Sequence, residues 1–348
     1  MIKKLLVIGA LLAPGLAYSQ ANNTLPYPQV NPAGVPPAPP AQAQAAGFTT
    51  CVLCMDFTVP TGGVWINGAA VAGVNAAQPS TWLDCAGAAS PLAWHYARYL
   101  GGNKGTVASG MPCPDITGDG AGNSQVLHIV MPPTTVDNAN GFELWDNNAG
   151  QSVMIPTNSY FEVTYWIQSF PAGAYSTGPF TGGEGEIPAA QHNHLEFDAF
   201  EIDTNTVGGQ SSCEHVWLSG LAGMACNWYA TNPPHFSGYD PTSGYHAIGM
   251  RITSDGSTTL YKCMWIDNVF QSCVTGTVSG SPGNFTAAQL SDASSRMETL
   301  FHPAGGPLRG RTTTTDMVTY TKSLRVWACT NWRTTACSTP GNADPGGY

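Results

Sequence analysis

The chain has 348 residues, of which only 10% are charged, and a formal net charge of −10 at pH 7. Its 12 Lys and Arg residues are sparse and unclustered, which argues against nucleic acid, a partner that needs basic stripes. The length suffices for one large β domain with a sizeable core. Beyond the first residues, no run approaches the roughly 20 apolar residues of a membrane-spanning helix, so no integral membrane segment is expected once the leader is removed.

Residues 1–19 read as an export signal. Lys3 and Lys4 form a basic start, Leu5 to Ala17 is an apolar run broken by Pro14 and Gly15, and Ala17-Tyr18-Ser19 resembles a small-residue cleavage site. A secreted or periplasmic protein is the expectation. Residues 20–45 are rich in Pro, Ala, Gln and Asn without apolar periodicity and read as an extended, mobile linker. From 46 to 348 there is no further composition shift and no internal repeat, so one domain is expected.

That domain reads as short strands between Gly, Pro, Asn and Ser turns. In chain order they are "TTCVLCMDFTV", "SQVLHIVM", "YFEVTYWIQSF", "HLEFDAFEI", "YHAIGMRIT", "TLYKCMWID" and "KSLRVWAC". Each is rich in β-branched and aromatic residues, and several alternate with period two. The spacing predicts helix only over 286–300 and in a short piece near Trp94 to Tyr99. Many short strands with turn signals indicate a sandwich or barrel. The 10 cysteines, an even number in an exported chain, favour disulfides over metal thiolates. Local bridges such as Cys213 with Cys226, Cys263 with Cys273 and Cys329 with Cys337 are expected. Cys51 and Cys54 have CxxC spacing, but no second CxxC completes a zinc knuckle and no βαβ pattern suggests a thioredoxin site.

The chemistry concentrates in "HNHLEFDAFE", residues 192–201. Two histidines invite a metal site on His192 and His194. On a strand, His192, His194, Glu196 and Asp198 share a face, similar to half of a cupin metal site. The glutamate spacing does not fit that site, and no later histidine strand around His235, His246 or His302 completes it. The carboxylates invite acid/base chemistry instead. Glu196, Asp198 and Glu201 form E-x-D-x-x-E, with Glu201 out of phase unless a β-bulge turns it. Three carboxylates on one face raise one another's pKa values, which keeps one protonated beside an ionised neighbour. Retaining glycoside hydrolysis uses such a pair about 5–5.5 Å apart.

"EFDAFE" resembles the "ELDIxE" segment of glycoside hydrolase family 16, the laminarinase, lichenase and agarase group. Other landmarks follow in that family's order: "CMDFT" from Cys54, "YFEV" from Tyr160, "YHAIGMRI" from Tyr245, "MWIDN" from Met264 and "YTKSLRVW" from Tyr320. The resemblance spans about 50–328 and implies a concanavalin A-like jelly-roll β-sandwich of two curved antiparallel sheets. Two family segments are absent: the tryptophan-rich run before the motif, and the "LILNLAVGG" stretch before the last strand. The resemblance implies Glu196 as nucleophile, Glu201 as general acid and then base, and Asp198 as the residue that positions Glu196.

His194, Trp145, Trp217 and Trp228 are candidate substrate contacts, since an aromatic ring offers apolar area beside a polar edge. A histidine bonded within its strand, or a tryptophan packed in the core, is the plainer reading of each. "DITGDGAGN", residues 115–123, has the outline of a calcium loop but departs from the EF-hand pattern and reads more simply as a glycine turn. No cofactor is expected, with a structural calcium ion as the alternative. Function therefore divides three ways. The leading reading is an exported retaining hydrolase acting on a polysaccharide. A non-catalytic carbohydrate-binding jelly roll and a cupin-like metalloenzyme compete with it.

Overall fold

The structure is a computed structural model. It describes residues 34–83, 98–100, 103–104, 112–134, 138–144, 159–177, 179–181, 194–198, 201–203, 210–211, 213–217, 225–228, 240, 242–254, 260–276, 299–307 and 312–328. Among these the strands form two sheets, and every strand pairing is antiparallel. The architecture is a jelly-roll β-sandwich.

The first sheet is built on the long strand Met317–Ala328. One side of that strand pairs with Ser159–Ser169. The other is shared: residues 317–321 pair with Val126–Met131, and residues 323–328 pair with Thr50–Asp56. Beyond Ser159–Ser169 come His246–Ser254, Leu260–Ile266 and Val269–Gly276. The last two are joined by Asp267 and Asn268, both at positive φ (52° and 64°), as a two-residue primed hairpin turn requires.

Alternation decides which face is buried between the sheets. Along Ser159–Ser169, Phe161, Val163, Tyr165 and Ile167 enter the main core. Ile248, Met250 and Ile252 do the same from the neighbouring strand, as do Leu324 and Val326 from the long one. Ala174, from the second sheet, is buried in that same core.

A second core lies on the opposite face of the first sheet. Cys51, Cys54, Trp65, Tyr160, Cys263, Trp265 and Trp327 cluster there with Ala43 and Phe48. Residues 37–48 cover them. The Trp327 indole donates to the Pro37 carbonyl at 3.3 Å, and the Gln42 amide donates to the Tyr160 hydroxyl at 2.8 Å. Part of the stretch read from composition as a mobile linker is therefore packed, and it holds a short helix, Ala41–Ala45. A segment that covers a flat aromatic surface needs small side chains rather than apolar periodicity, so composition alone hides this role.

Cys51 and Cys54 form a disulfide. Three residues apart on a regular strand, they would face opposite ways. The pairing register with 317–328 shifts by one between Cys51 and Leu53, and that bulge turns both cysteines to the second core. Cys113 and Cys263 each take part in a disulfide as well. Cys263 lies directly across from Cys273 in the register. Cys213 and Cys226 lie on paired strands, Cys213 opposite Trp228 and Cys226 opposite His215. Cys329 and Cys337 lie outside the described residues. Both helix expectations meet strand at their ends, because Arg98–Leu100 and Thr299–Pro307 are strands; the rest of both stretches lies outside the described residues.

Candidate functional site

The second sheet carries the carboxylate segment. His194–Asp198 and Glu201–Asp203 are consecutive strands. On one side they pair with Pro179–Thr181 and Ala174–Thr177 respectively. On the other they pair with Cys213–Trp217 and Gln210–Ser211. The motif therefore sits in the interior of the sheet, where the backbone is held from both sides.

Register places each candidate position. Glu196 pairs with His215, which pairs with Cys226. His194 pairs with Trp217, and Trp228 pairs with Cys213. By parity, positions 194, 196, 198, 213, 215, 217, 226 and 228 share one face of the sheet. Two candidate tryptophans, Trp217 and Trp228, thus lie on the face of Glu196 and Asp198. Their strand neighbour His215 escaped the sequence reading. Its only signal is alternation in "CEHVW", which becomes informative once that strand is known to lie beside the motif. Trp145 and His192 lie outside the described residues.

Glu201 pairs with Thr177. Whether Asp198 and Glu201 share a face depends on the join. Asp198 pairs with Phe180 and Glu201 with Thr177, so two residues intervene on each strand. A bulge in one strand alone would break this match, and an unbroken pleat would put Asp198 and Glu201 on opposite faces. A shared face requires a paired irregularity. Sequence supplies a reason for one in Pro179, which follows Gly178 in the chain. Proline cannot donate to a ladder and is confined within sheets to edges, strand starts and bulges. Pro179 begins a strand flanked on both sides. The disulfide strand Thr50–Asp56 shows the same requirement met, with residues at i and i+3 brought to one face by a bulge.

Two of the landmark segments also meet. His246, from "YHAIGMRI", approaches Asp267, from "MWIDN", with Nδ1 and Oδ2 at 2.7 Å, and the Ala247 N–H donates to the other carboxylate oxygen at 2.9 Å. Ser243 Oγ is 3.0 Å from His246 Nε2, which gives a Ser, His, Asp order. The serine hydroxyl, however, donates to the Asp240 carbonyl at 2.8 Å. It fastens a turn rather than being presented as a nucleophile.

No protein-family model matches the chain, and no curated protein matches it. Solved structures do. The catalytic domain of an endo-1,3-beta-glucanase (laminarinase) from Thermotoga petrophila is 13% identical with a TM-score of 0.36, covering 70% of this chain and 93% of that one. The kappa-carrageenase from Pseudoalteromonas carrageenovora is 10% identical with a TM-score of 0.34, covering 67% and 79%. The alginate lyase from Aplysia kurodai is 11% identical with a TM-score of 0.34, covering 61% and 86%. At this distance the likeness carries no argument about activity.

Among the described residues, no group of three or more His, Cys, Asp and Glu is placed to hold a metal ion. The loop at 115–123 is organised by donors instead. The Asp119 carboxylate accepts the backbone N–H groups of Ala121 (2.8 Å) and Asn123 (3.0 Å), the Asn123 side-chain amide, and the Tyr245 hydroxyl (2.8 Å). Burial raises the pKa of Asp119, but these donors together outweigh it and hold the carboxyl below its ordinary value. Gly120 and Gly122 take positive φ in the turn.

Proposed function

We propose that the chain is an exported, carbohydrate-active enzyme: a retaining glycoside hydrolase that cuts internal β-glycosidic bonds of a polysaccharide. The observation that carries this reading is the E-x-D-x-x-E segment in the interior of a sandwich sheet. Its strands are His194–Asp198 and Glu201–Asp203, and the partner of the first begins at Pro179. Glu196 attacks the anomeric carbon and forms a glycosyl ester while Glu201 protonates the departing oxygen. Glu201 then takes a proton from water, whose oxygen displaces Glu196. Asp198 positions Glu196, and Trp217 and Trp228 offer stacking surfaces for flanking sugars. The leader and the Cys51–Cys54 bridge support an oxidising destination.

The second reading is a carbohydrate-binding jelly roll without catalysis. Matched residue counts across the join favour it, because a regular pleat would separate Asp198 from Glu201. The test is product release from laminarin, lichenan, agarose, carrageenan and xyloglucan, with the anomer of fresh product read by proton NMR. Retention supports the double displacement. Inversion or unsaturated chain ends would replace the mechanism, and binding without release would leave the second reading.

A further inference from the structure

The first sheet carries one unbroken cross-strand row: Cys51, Trp327, Tyr160, Arg251, Cys263 and Cys273, each directly opposite the next. Its aromatic half is sealed under residues 37–48. Its other half sets a cation against sulfur. The Arg251 guanidinium donates to Cys263 Sγ at 3.3 Å, and its Cζ stands 5.9 Å from the centre of the Trp265 ring. Arg251 is 3% exposed and Cys263 is fully buried, so solvent screens this contact little. Arginine keeps its charge inside proteins. Cys263 takes part in a disulfide, and the position across from it is Cys273. Directly opposed residues of an antiparallel pair have Cα atoms about 4.5–5.5 Å apart, inside the range that a disulfide spans. Cys273 lies on Val269–Gly276, the last strand on this side of the sheet among the described residues.

Thiol–disulfide exchange depends on the thiolate that departs. An external thiolate attacking the Cys273 sulfur forms a mixed disulfide there and breaks the bridge. Cys263 departs with the electron pair, as a thiolate, on the sulfur that Arg251 already touches. A second external thiolate then attacks the mixed disulfide and frees Cys273. The two external thiols leave as one external disulfide, having passed two electrons to the bridge. One of their protons goes to Cys273 and the other to solvent. A cation beside a thiolate favours its ionised form, so Arg251 assists both the departure of Cys263 and the reduced product. Apolar burial opposes this, but the Cys51–Cys54 bridge lies in the same core and shares that opposition. The difference is the cation. Arg325 stands opposite Cys54 in register, yet its guanidinium lies 3.2 Å from Asp56 and 3.8 Å from Glu162.

We propose that Cys263 and Cys273 bridge each other, and that this bridge is a thiol-sensitive site which opens before Cys51–Cys54 because Arg251 holds the Cys263 thiolate. It uses none of the carboxylate residues and stands apart from both functional readings. The test equilibrates the full-length folded protein with mixtures of reduced and oxidised dithiothreitol near neutral pH. After acid quenching, free thiols are alkylated under denaturing conditions and located by peptide mass spectrometry. Cys263 and Cys273 should become reduced together, at a reduced-to-oxidised ratio at least tenfold lower than Cys51 and Cys54 require. The quotient of the two midpoints is the readout, so a general loss of stability cancels. Arg251→Met, shown to be folded by its melting curve, should shrink that quotient at least tenfold. Arg251→Lys keeps the charge and should hold it within threefold of the wild type. The wild-type order of opening decides even where a variant does not fold. A non-reduced peptide map joining Cys263 to another cysteine overturns the proposal, as does Cys51–Cys54 opening first or at the same ratio. An unchanged quotient in folded Arg251→Met also overturns it. So does Arg251→Lys matching Arg251→Met, which would leave Arg251 a packing role alone.

Discussion

Raising the pH through the range between about 4.5 and 7 should weaken the fold, and Glu162 is the reason. It is buried on the outer face of the first sheet, paired in register with Arg325 on one side and Gly249 on the other. Burial pushes its carboxyl up from 4.5 to about 7, against the opposing pull of Arg325. Arg325 NH1 stands 3.8 Å from Glu162, while NH2 stands 3.2 Å from Asp56, so Asp56 takes the closer contact. Because the folded value lies above the unfolded one, the protonated carboxyl stabilises the fold fully below about 4.5. That contribution is lost as pH rises to about 7. At about 1.4 kcal/mol per pH unit, the loss is roughly 3 kcal/mol, a substantial part of a domain's 5–15 kcal/mol. Urea unfolding at steps across this range, for the wild type and Glu162→Gln, isolates the effect, since other groups cancel in the difference. The wild type should lose roughly 3 kcal/mol more than the variant. Identical pH slopes for the two proteins would refute the reasoning.

Other expected outcomes follow from the packing. Gly249→Ala would place a Cβ 2.0 Å from the Tyr160 hydroxyl, whose ring is wedged beside Trp265 and Trp327. Urea unfolding should show a loss of about 1–3 kcal/mol, and adding Tyr160→Phe should recover part of it. Phe48→Ala should cost about 3–5 kcal/mol and raise binding of a hydrophobic dye, because Phe48 helps to seal the second core. Replacing both Cys51 and Cys54 by Ala should cost about 2 kcal/mol for so short a loop, read as a lower urea midpoint with no change in m.

The strands were legible because alternation is strong where one face is a core. "YFEVTYWIQSF" and "YHAIGMRIT" correspond to Ser159–Ser169 and His246–Ser254. Long-range partnership was not legible. The long strand Met317–Ala328 is shared by two partners on one side, and nothing local encodes that. The cover formed by 37–48 reads as a linker because its contacts lie with Tyr160 and Trp327, far along the chain. At the candidate site, the types and spacing of Glu196, Asp198 and Glu201 were plain in the sequence. Whether they share a face was not, because equal numbers of residues separate Asp198 from Glu201 and Phe180 from Thr177. His215 became a candidate only through its register with Glu196.

The central claim is that the carboxylates of "HNHLEFDAFE" do the chemistry. The direct measurement is release of reducing ends from the polysaccharide panel by the wild type, Glu196→Gln, Glu201→Gln, His192→Ala and His194→Ala, each shown to be folded. The wild type should cleave at least one polymer, with chelators present or absent. Glu196→Gln should release nothing, because an amide cannot form the glycosyl ester. Glu201→Gln should fail on polymer yet keep more activity on substrates with good leaving groups, which need no proton in the first step. Both histidine variants should keep substantial activity. Active glutamate variants beside dead histidine variants, or a wild type that binds glycan and cleaves none, would contradict the account.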